Sequence, residues 1–210
     1  MAAARTAFDQ GPWPRLSHEE RAGHPRAFAA ELRRRSTDLA EFWSRQSGVL
    51  HTIASGVGDL GASGFEFYAG LAADFPFEEE LPAAYGEFGL LVREHVGVVG
   101  AIVAWNHPVG LITYKLAPAL PAGCTVVLKP APEAPGEAYG MAEIAETIGL
   151  PQGVLNVLSA GREVSESLVK DERVDKIAFT GSTAAGRRIG SLLGGRIARH
   201  SSKCETATTG

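Results

Sequence analysis

Three places in this chain combine residue type and spacing in a way that could do chemistry. The first is FTGSTAAGRRIG at 179–190, where an apolar segment gives way to a helix-forming one. Gly181 there would let the backbone turn sharply, and the N–H groups of Ser182, Thr183 and Ala184 would open the helix. Such donors, at the positive end of a helix dipole, suit an anion such as the pyrophosphate of a dinucleotide. A helix cap on one strand of an α/β sheet accounts for the same residues. Two common phosphate loops fail here. Against G-x-G-x-x-G the central glycine is Thr183, and against the nucleotide-hydrolase loop the Lys and Ser/Thr positions are Arg187 and Arg188.

The second place is Asn106, directly after an apolar run. An amide at a strand mouth can donate to an oxygen that becomes negative during acyl chemistry, or it can cap the helix that begins at Pro108. The third is Lys129, at the end of another apolar run, whose ammonium either reaches a ribose or phosphate in the crevice or snorkels into water. Cys124 lies inside an apolar segment, as an inert thiol would, and Cys204 lies in a polar tail with nothing to lower its pKa. The six histidines and two cysteines show no metal-ligand spacing, so no metal site is expected.

These residues need strand ends to hold them. Residues 95–130 supply two, reading as strand, turn, helix, turn, strand. Residues 96–105 are almost unbroken β-branched and apolar, as in a parallel strand covered on both faces. Pro108 suits a first helical turn, and Leu111, Ile112, Leu116, Ala119 and Leu120 follow at helical spacing. After Pro121, Ala122 and Gly123, residues 124–128 form a second strand, which completes a βαβ unit with its crevice at the carboxyl edge. The alternation continues with a helix ended by Gly149, a strand at 154–158, a helix at 162–169, a strand at 176–179 and a helix at 184–193. The fold class is therefore α/β, a partial Rossmann-like doubly wound parallel sheet.

Residues 1–94 read as a mainly helical segment with a loop, packed on the nucleotide domain of residues 95–199. Ser17 and Glu20 form a capping box, and Pro25 should break or kink the helix near His24. Leu39, Phe42, Trp43, Val49, Leu50 and Ile53 stripe a second helix, after which the glycines at 56, 58, 61 and 64 should interrupt. Residues 74–86, with three successive glutamates and two prolines, read as a surface loop. Residues 200–210 carry almost no apolar side chain, so they read as a disordered tail that cannot supply the next buried strand.

With 45% hydrophobic and 21% charged residues, the 210-residue chain can bury a core. Its net charge of -4 is scattered, which argues against nucleic acid and anionic membrane as partners. No apolar run approaches membrane-spanning length and the start lacks a secretory pattern, so a cytoplasmic location is the default.

Taken in series, AWNHP, YKLAPALPAGCTVVLKPAPE, GLPQGVLNVLSAGRE and VDKIAFTGSTAAGRRI resemble the aldehyde dehydrogenase superfamily over roughly residues 5–199. The resemblance implies oxidation of a small aldehyde to a carboxylic acid with NAD or NADP, through a cysteine thiolate and a glutamate-activated water. It makes Asn106 the oxyanion donor and gives Lys115 a supporting role. It places Trp105, Lys129, Gly161, Gly181 and Ser182 at the cofactor, the last two beneath the pyrophosphate. Many relatives hold the adenine ribose with a glutamate three residues after the lysine; here Pro132 takes that place and Glu133 follows, leaving NAD against NADP open. Members of the superfamily are more than twice this long and oligomerise. Their Glu-Leu-Gly-Gly motif would align its glutamate with Lys203, and their nucleophilic cysteine would lie beyond Gly210.

The expectation is thus a truncated, inactive fragment, the product of a shifted reading frame, a mis-called gene or an assembly error, with a stand-alone nucleotide-binding module and a functionless remnant as the alternatives. Reading the DNA after codon 199 in all frames should recover the glutamate and cysteine segments; their absence there removes the frameshift.

Overall fold

The computed structural model describes residues 1–205. Ala2–Asp9 (α1) leads through a 3-10 turn at Trp13–Arg15 into His18–Arg34 (α2). The capping box forms: Glu20 N donates to Ser17 Oγ at 3.2 Å, and Ser17 N donates to Glu20 Oε2 at 2.7 Å. Pro25 does not break α2, contrary to expectation. It is buried on a helix that also sinks Phe28, Ala29 and Leu32 into the core, and that packing outweighs the roughly 3 kcal/mol local penalty.

Ser36–Ser47 (α3) ends earlier than its apolar stripe suggests, because Gly48 adopts a left-handed φ of 70° and closes it. His51–Ala54 (α4) is a separate turn. Gly56 lies in the break after α4 and is the N-cap residue of the next helix, but Gly58, Gly61 and Gly64 do not interrupt; Val57–Asp74 (α5) runs straight through them. Their role is close approach. A Cβ on Gly58 would stand 2.6 Å from the Leu32 carbonyl oxygen, and one on Gly64 would stand 2.5 Å from Thr113 Cγ2. Bare backbone therefore lets α5 press against α2 and against Pro108–Ala119 (α6), with Phe28 and Phe65 stacked at 4.6 Å. The expected loop at 74–86 holds a strand: Glu78–Leu81 (β1) pairs antiparallel with Gly89–Val92 (β2), and Arg93 ion-pairs with Glu79.

The main sheet is parallel, in the order β5-β4-β3-β6-β7. Its strands are Val98–Ile102 (β3), Thr125–Lys129 (β4), Leu155–Val157 (β5), Lys176–Ser182 (β6) and Arg199–Glu205 (β7). Between them run α6, Gly136–Thr147 (α7), Arg162–Lys170 (α8) and Thr183–Gly194 (α9). Both β3 and β4 are buried along their whole length, which explains their near-continuous apolar sequence. Alternate side chains serve two cores. Val99, Ala101, Val126 and Leu128 pack with α2, α3 and α5–α7, while Val98, Ile102 and Val127 pack with Ile177, Phe179 and residues of α8 and α9. The chain leaves β3 toward β4 on one side and returns to β6 on the other. That reversal opens the carboxyl edge between β3 and β6, where doubly wound sheets bind ligands.

The expectation of a disordered tail from residue 200 is overturned up to residue 205. β7 pairs with β6 in parallel register from Arg199↔Lys176 to Ser182↔Glu205. An edge strand needs ladder hydrogen bonds rather than two buried faces, so a polar sequence with Arg199 and Lys203 exposed serves there. The rest of the expected tail, residues 206–210, lies outside the described residues.

Two helical glycines separate close approach from ordinary propensity. Gly58→Ala should lower stability by about 1–3 kcal/mol through its collision with the Leu32 backbone. Gly70→Ala, with open space around its Cβ, should be neutral or stabilising by up to about 1 kcal/mol. Urea unfolding of both variants checks this, and equal effects would remove the close-approach account.

Candidate functional site

The turn between β3 and α6 is held from outside the sheet. Trp43 Nε1 donates to the Asn106 carbonyl at 3.0 Å, and Ser47 Oγ donates to the Trp105 carbonyl at 2.8 Å. Both donors sit on α3, so a helix remote in sequence fixes the backbone at the strand mouth. His107 occupies the cap position of α6, with its ring edge-on to Trp43 at 4.8 Å and its pKa lowered by burial. Gly110 makes room for that ring, since a Cβ there would meet His107 Cε1 at 2.0 Å. Asn106 stands one residue ahead of the cap and is exposed, as is Trp105 at 50%. Sequence reasoning missed Trp43 and Ser47 as positioning groups, because both lie on the apolar stripe and its margin and carry no motif of their own.

The last turn of α3 also holds the start of α7. Gln46 Oε1 accepts from Gly136 N at 2.9 Å, and its Nε2 donates to Glu137 Oε2 at 3.1 Å. Glu137 is fully buried, its Oε1 has no hydrogen-bond partner, and burial pushes its pKa up to about 7 despite the Gln46 bond.

Lys129, at the end of β4, does not snorkel. It is 7% exposed, and burial lowers its pKa while the Glu133 carboxylate acts in the opposite sense. It lines a cavity of about 560 Å³ at the carboxyl edge, with Pro132, Glu133, Arg162 and the first turn of α9 at Ala184 and Ala185. Ile102, Phe179, Val169, Ile189 and Leu192 give that cavity apolar walls. Apolar walls with a few convergent polar groups are the usual make-up of a cofactor pocket, and the volume is within the usual range.

Gly181 does not turn the chain. It lies in β6 paired with Cys204, and glycine is needed because a Cβ would come within 2.8 Å of the Phe179 ring. The change of direction follows at Ser182, which is extended and caps α9 by accepting from Ala185 N at 3.3 Å. Gly161 is the N-cap residue of α8, exposed, with open space where a side chain would project. Lys115 is half-buried on α6 and donates to Thr180 Oγ1 at 2.9 Å. Lys129 is thus the expected site residue that lines the cavity, with Gly161 leading into it beside Arg162 and Gly181 and Ser182 leading into the α9 wall. Trp105, Asn106 and Lys115 stand off its lining, on the β3–α6 side.

The aldehyde dehydrogenase family pattern matches residues 1–207. This chain belongs to the aldehyde dehydrogenase family. The match takes in residues 200–207, which motif comparison alone leaves outside the resemblance. Over 190 residues the chain is 43% identical to geranial dehydrogenase of Castellaniella defragrans, covering 90% of this chain and 40% of that protein. Over 196 residues it is 40% identical to aminoaldehyde dehydrogenase 2 of Zea mays, covering 90% and 39%. Among solved structures, a Mycobacterium tuberculosis aldehyde dehydrogenase complexed with NAD+ superposes with a TM-score of 0.91 at 40% identity, over 97% of this chain and 42% of that one. An NAD-dependent aldehyde dehydrogenase from Sinorhizobium meliloti gives 0.92 at 35% identity, over 97% and 41%. The chain spans about 40% of the length of these family members.

The buried carboxyl of Glu137 makes a pH prediction. Its folded pKa of about 7 lies above the ordinary 4.5, so the neutral acid is the form the fold favours. Its contribution is complete below pH 4.5 and is lost as pH rises through 7, on the order of 3 kcal/mol in all. Glu137→Gln keeps the shape without the charge. Between pH 5 and 8 the native chain should lose about 3 kcal/mol relative to the variant in urea unfolding; parallel pH profiles would contradict the assignment.

Proposed function

We propose that these residues form the dinucleotide side of an NAD-dependent aldehyde-oxidising site. The observation that carries the reading is the cavity at the carboxyl edge, bounded by a buried lysine on one side and a helix N-terminus on the other. Its apolar walls suit an adenine ring, and Lys129 suits the ribose beneath it. Gly181 and Ser182 bring the first turn of α9 under the pyrophosphate, and Gly161 leaves open space at the start of α8. Glu133 lies on the same wall as Lys129. Its carboxylate opposes a 2′-phosphate, so NAD is preferred over NADP.

When bound, the nicotinamide supplies the acceptor for a hydride. Asn106, with its carbonyl pinned by Trp43, offers its amide to an aldehyde oxygen as negative charge develops there. Lys115 supports that region from α6, and Trp105 flanks it. The two thiols are not placed as nucleophiles. Cys124 is 3% exposed and its pKa is pushed up by burial, and Cys204 lies on the polar edge strand with its Sγ against Gly186. By itself, therefore, the chain holds cofactor and orients a small aldehyde but does not oxidise it.

A thermal melt with and without dinucleotide tests this. At 100 times its dissociation constant, NAD should add about 2.7 kcal/mol and raise the midpoint visibly, NADP should add less, and Lys129→Met should shrink the shift. A midpoint unmoved by either dinucleotide would reduce the chain to a remnant without a cofactor site. NADH formation from propanal would refute the claim of inactivity.

A further inference from the structure

Thr180, at the carboxyl end of β6, lies between two elements that each carry a lysine. Lys115 reaches it from α6, donating from Nζ to Thr180 Oγ1 at 2.9 Å. Lys203 lies opposite it on the edge strand, paired in register with Thr180, and its charge acts on Lys115. Thr180 is 3% exposed and Lys115 half-buried, so the amine sits in a sheltered niche rather than in bulk water. Among the described residues the ion-paired lysine is Lys170, held by Glu166. Lys129 has the Glu133 carboxylate to support its charge. Lys115 faces a neutral hydroxyl from β6 and a second ammonium from β7 instead.

We propose that Lys115 is a reactive amine that condenses reversibly with small aldehydes to form an imine, with Lys203 as the neighbouring acid. Burial, and secondarily the Lys203 ammonium, lower the Lys115 pKa to about 8, so near neutrality a useful share of it is the nucleophilic free base. A lysine desolvated beside another cation is an established way of activating an amine for carbonyl chemistry. The neutral Nζ attacks the carbonyl carbon, an N–C bond forms, and proton transfer from nitrogen to oxygen gives a carbinolamine. The Lys203 ammonium then protonates the hydroxyl, the C–O bond breaks, and water leaves an iminium on Nζ and a neutral amine on Lys203. No electrons change hands, so no oxidant is required, and water reverses the step. Thr180 holds the amine in place through its hydroxyl. No dinucleotide takes part, so failure of cofactor binding leaves this inference standing, and failure of imine formation leaves the cofactor reading standing.

The test is reductive trapping of the whole chain with propanal and sodium cyanoborohydride over a pH series, with the propylated lysines located by peptide mass spectrometry. Lys115 should be labelled first among the five lysines, about tenfold faster than the others near pH 8, because burial and the Lys203 ammonium lower its pKa to about 8. Its labelling profile should rise through a midpoint of about 8. Lys203→Glu supplies the missing carboxylate, so it should move that midpoint to higher pH and slow trapping on the acid side of it, about tenfold for a midpoint one pH higher. Lys115→Arg should remove the fast site; if that variant does not fold, Lys203→Glu carries the test, since it leaves Lys115 in place. Even labelling of all five lysines, a Lys115 midpoint at the ordinary value of 10.5, or a profile indifferent to Lys203→Glu would overturn the proposal.

Discussion

A parallel strand that ends at a ligand crevice leaves its last carbonyls without ladder partners, and an unpaired carbonyl is costly wherever water is thin. Here the indole of Trp43 and the hydroxyl of Ser47 satisfy the carbonyls of Asn106 and Trp105. The same turn of α3 uses Gln46 to bond both the first amide and the buried carboxyl of α7. The helical region is therefore part of the site's scaffold. It holds the exit of β3 and the entry of α7, and Asn106 has a fixed backbone because α3 packs where it does.

That packing depends in turn on missing side chains. α5 lies close to α2 and α6 because Gly58, Gly61 and Gly64 present bare backbone at the contact. Helix–helix distance follows the size of the residues at the crossing, and small ones let the axes approach. Glycine lowers helix propensity by about 1 kcal/mol a residue, a cost the buried Phe28–Phe65 stack and the surrounding apolar contact offset.

Charge is distributed unevenly about the carboxyl edge. Lys129 and Lys115 are both sheltered there, yet their surroundings differ in sign: Glu133 favours the charged form of the first, while Lys203 disfavours that of the second. Burial lowers the pKa of both; Glu133 works against that fall at the first and Lys203 adds to it at the second. Residue type alone does not separate the two; the charge beside each does.

The sequence by itself determined the alternation of strands and helices from β3 to α9, because buried parallel strands must be apolar on both faces and glycine and proline mark the helix ends. The capping box of α2 and the family relationship were equally legible, since both rest on local residue patterns. Tertiary structure decided what local pattern could not carry. Pro25 stays helical and the α5 glycines do not interrupt, because contacts with distant segments outweigh local propensity. A polar stretch after residue 198 becomes β7, because β6 offers it an edge whose hydrogen bonds ask nothing of its side chains. Gly181 is glycine for the Phe179 ring rather than for a turn. The partners of Asn106, Lys115 and Glu137 come from elements far away in the chain, so their positions and protonation are properties of the fold.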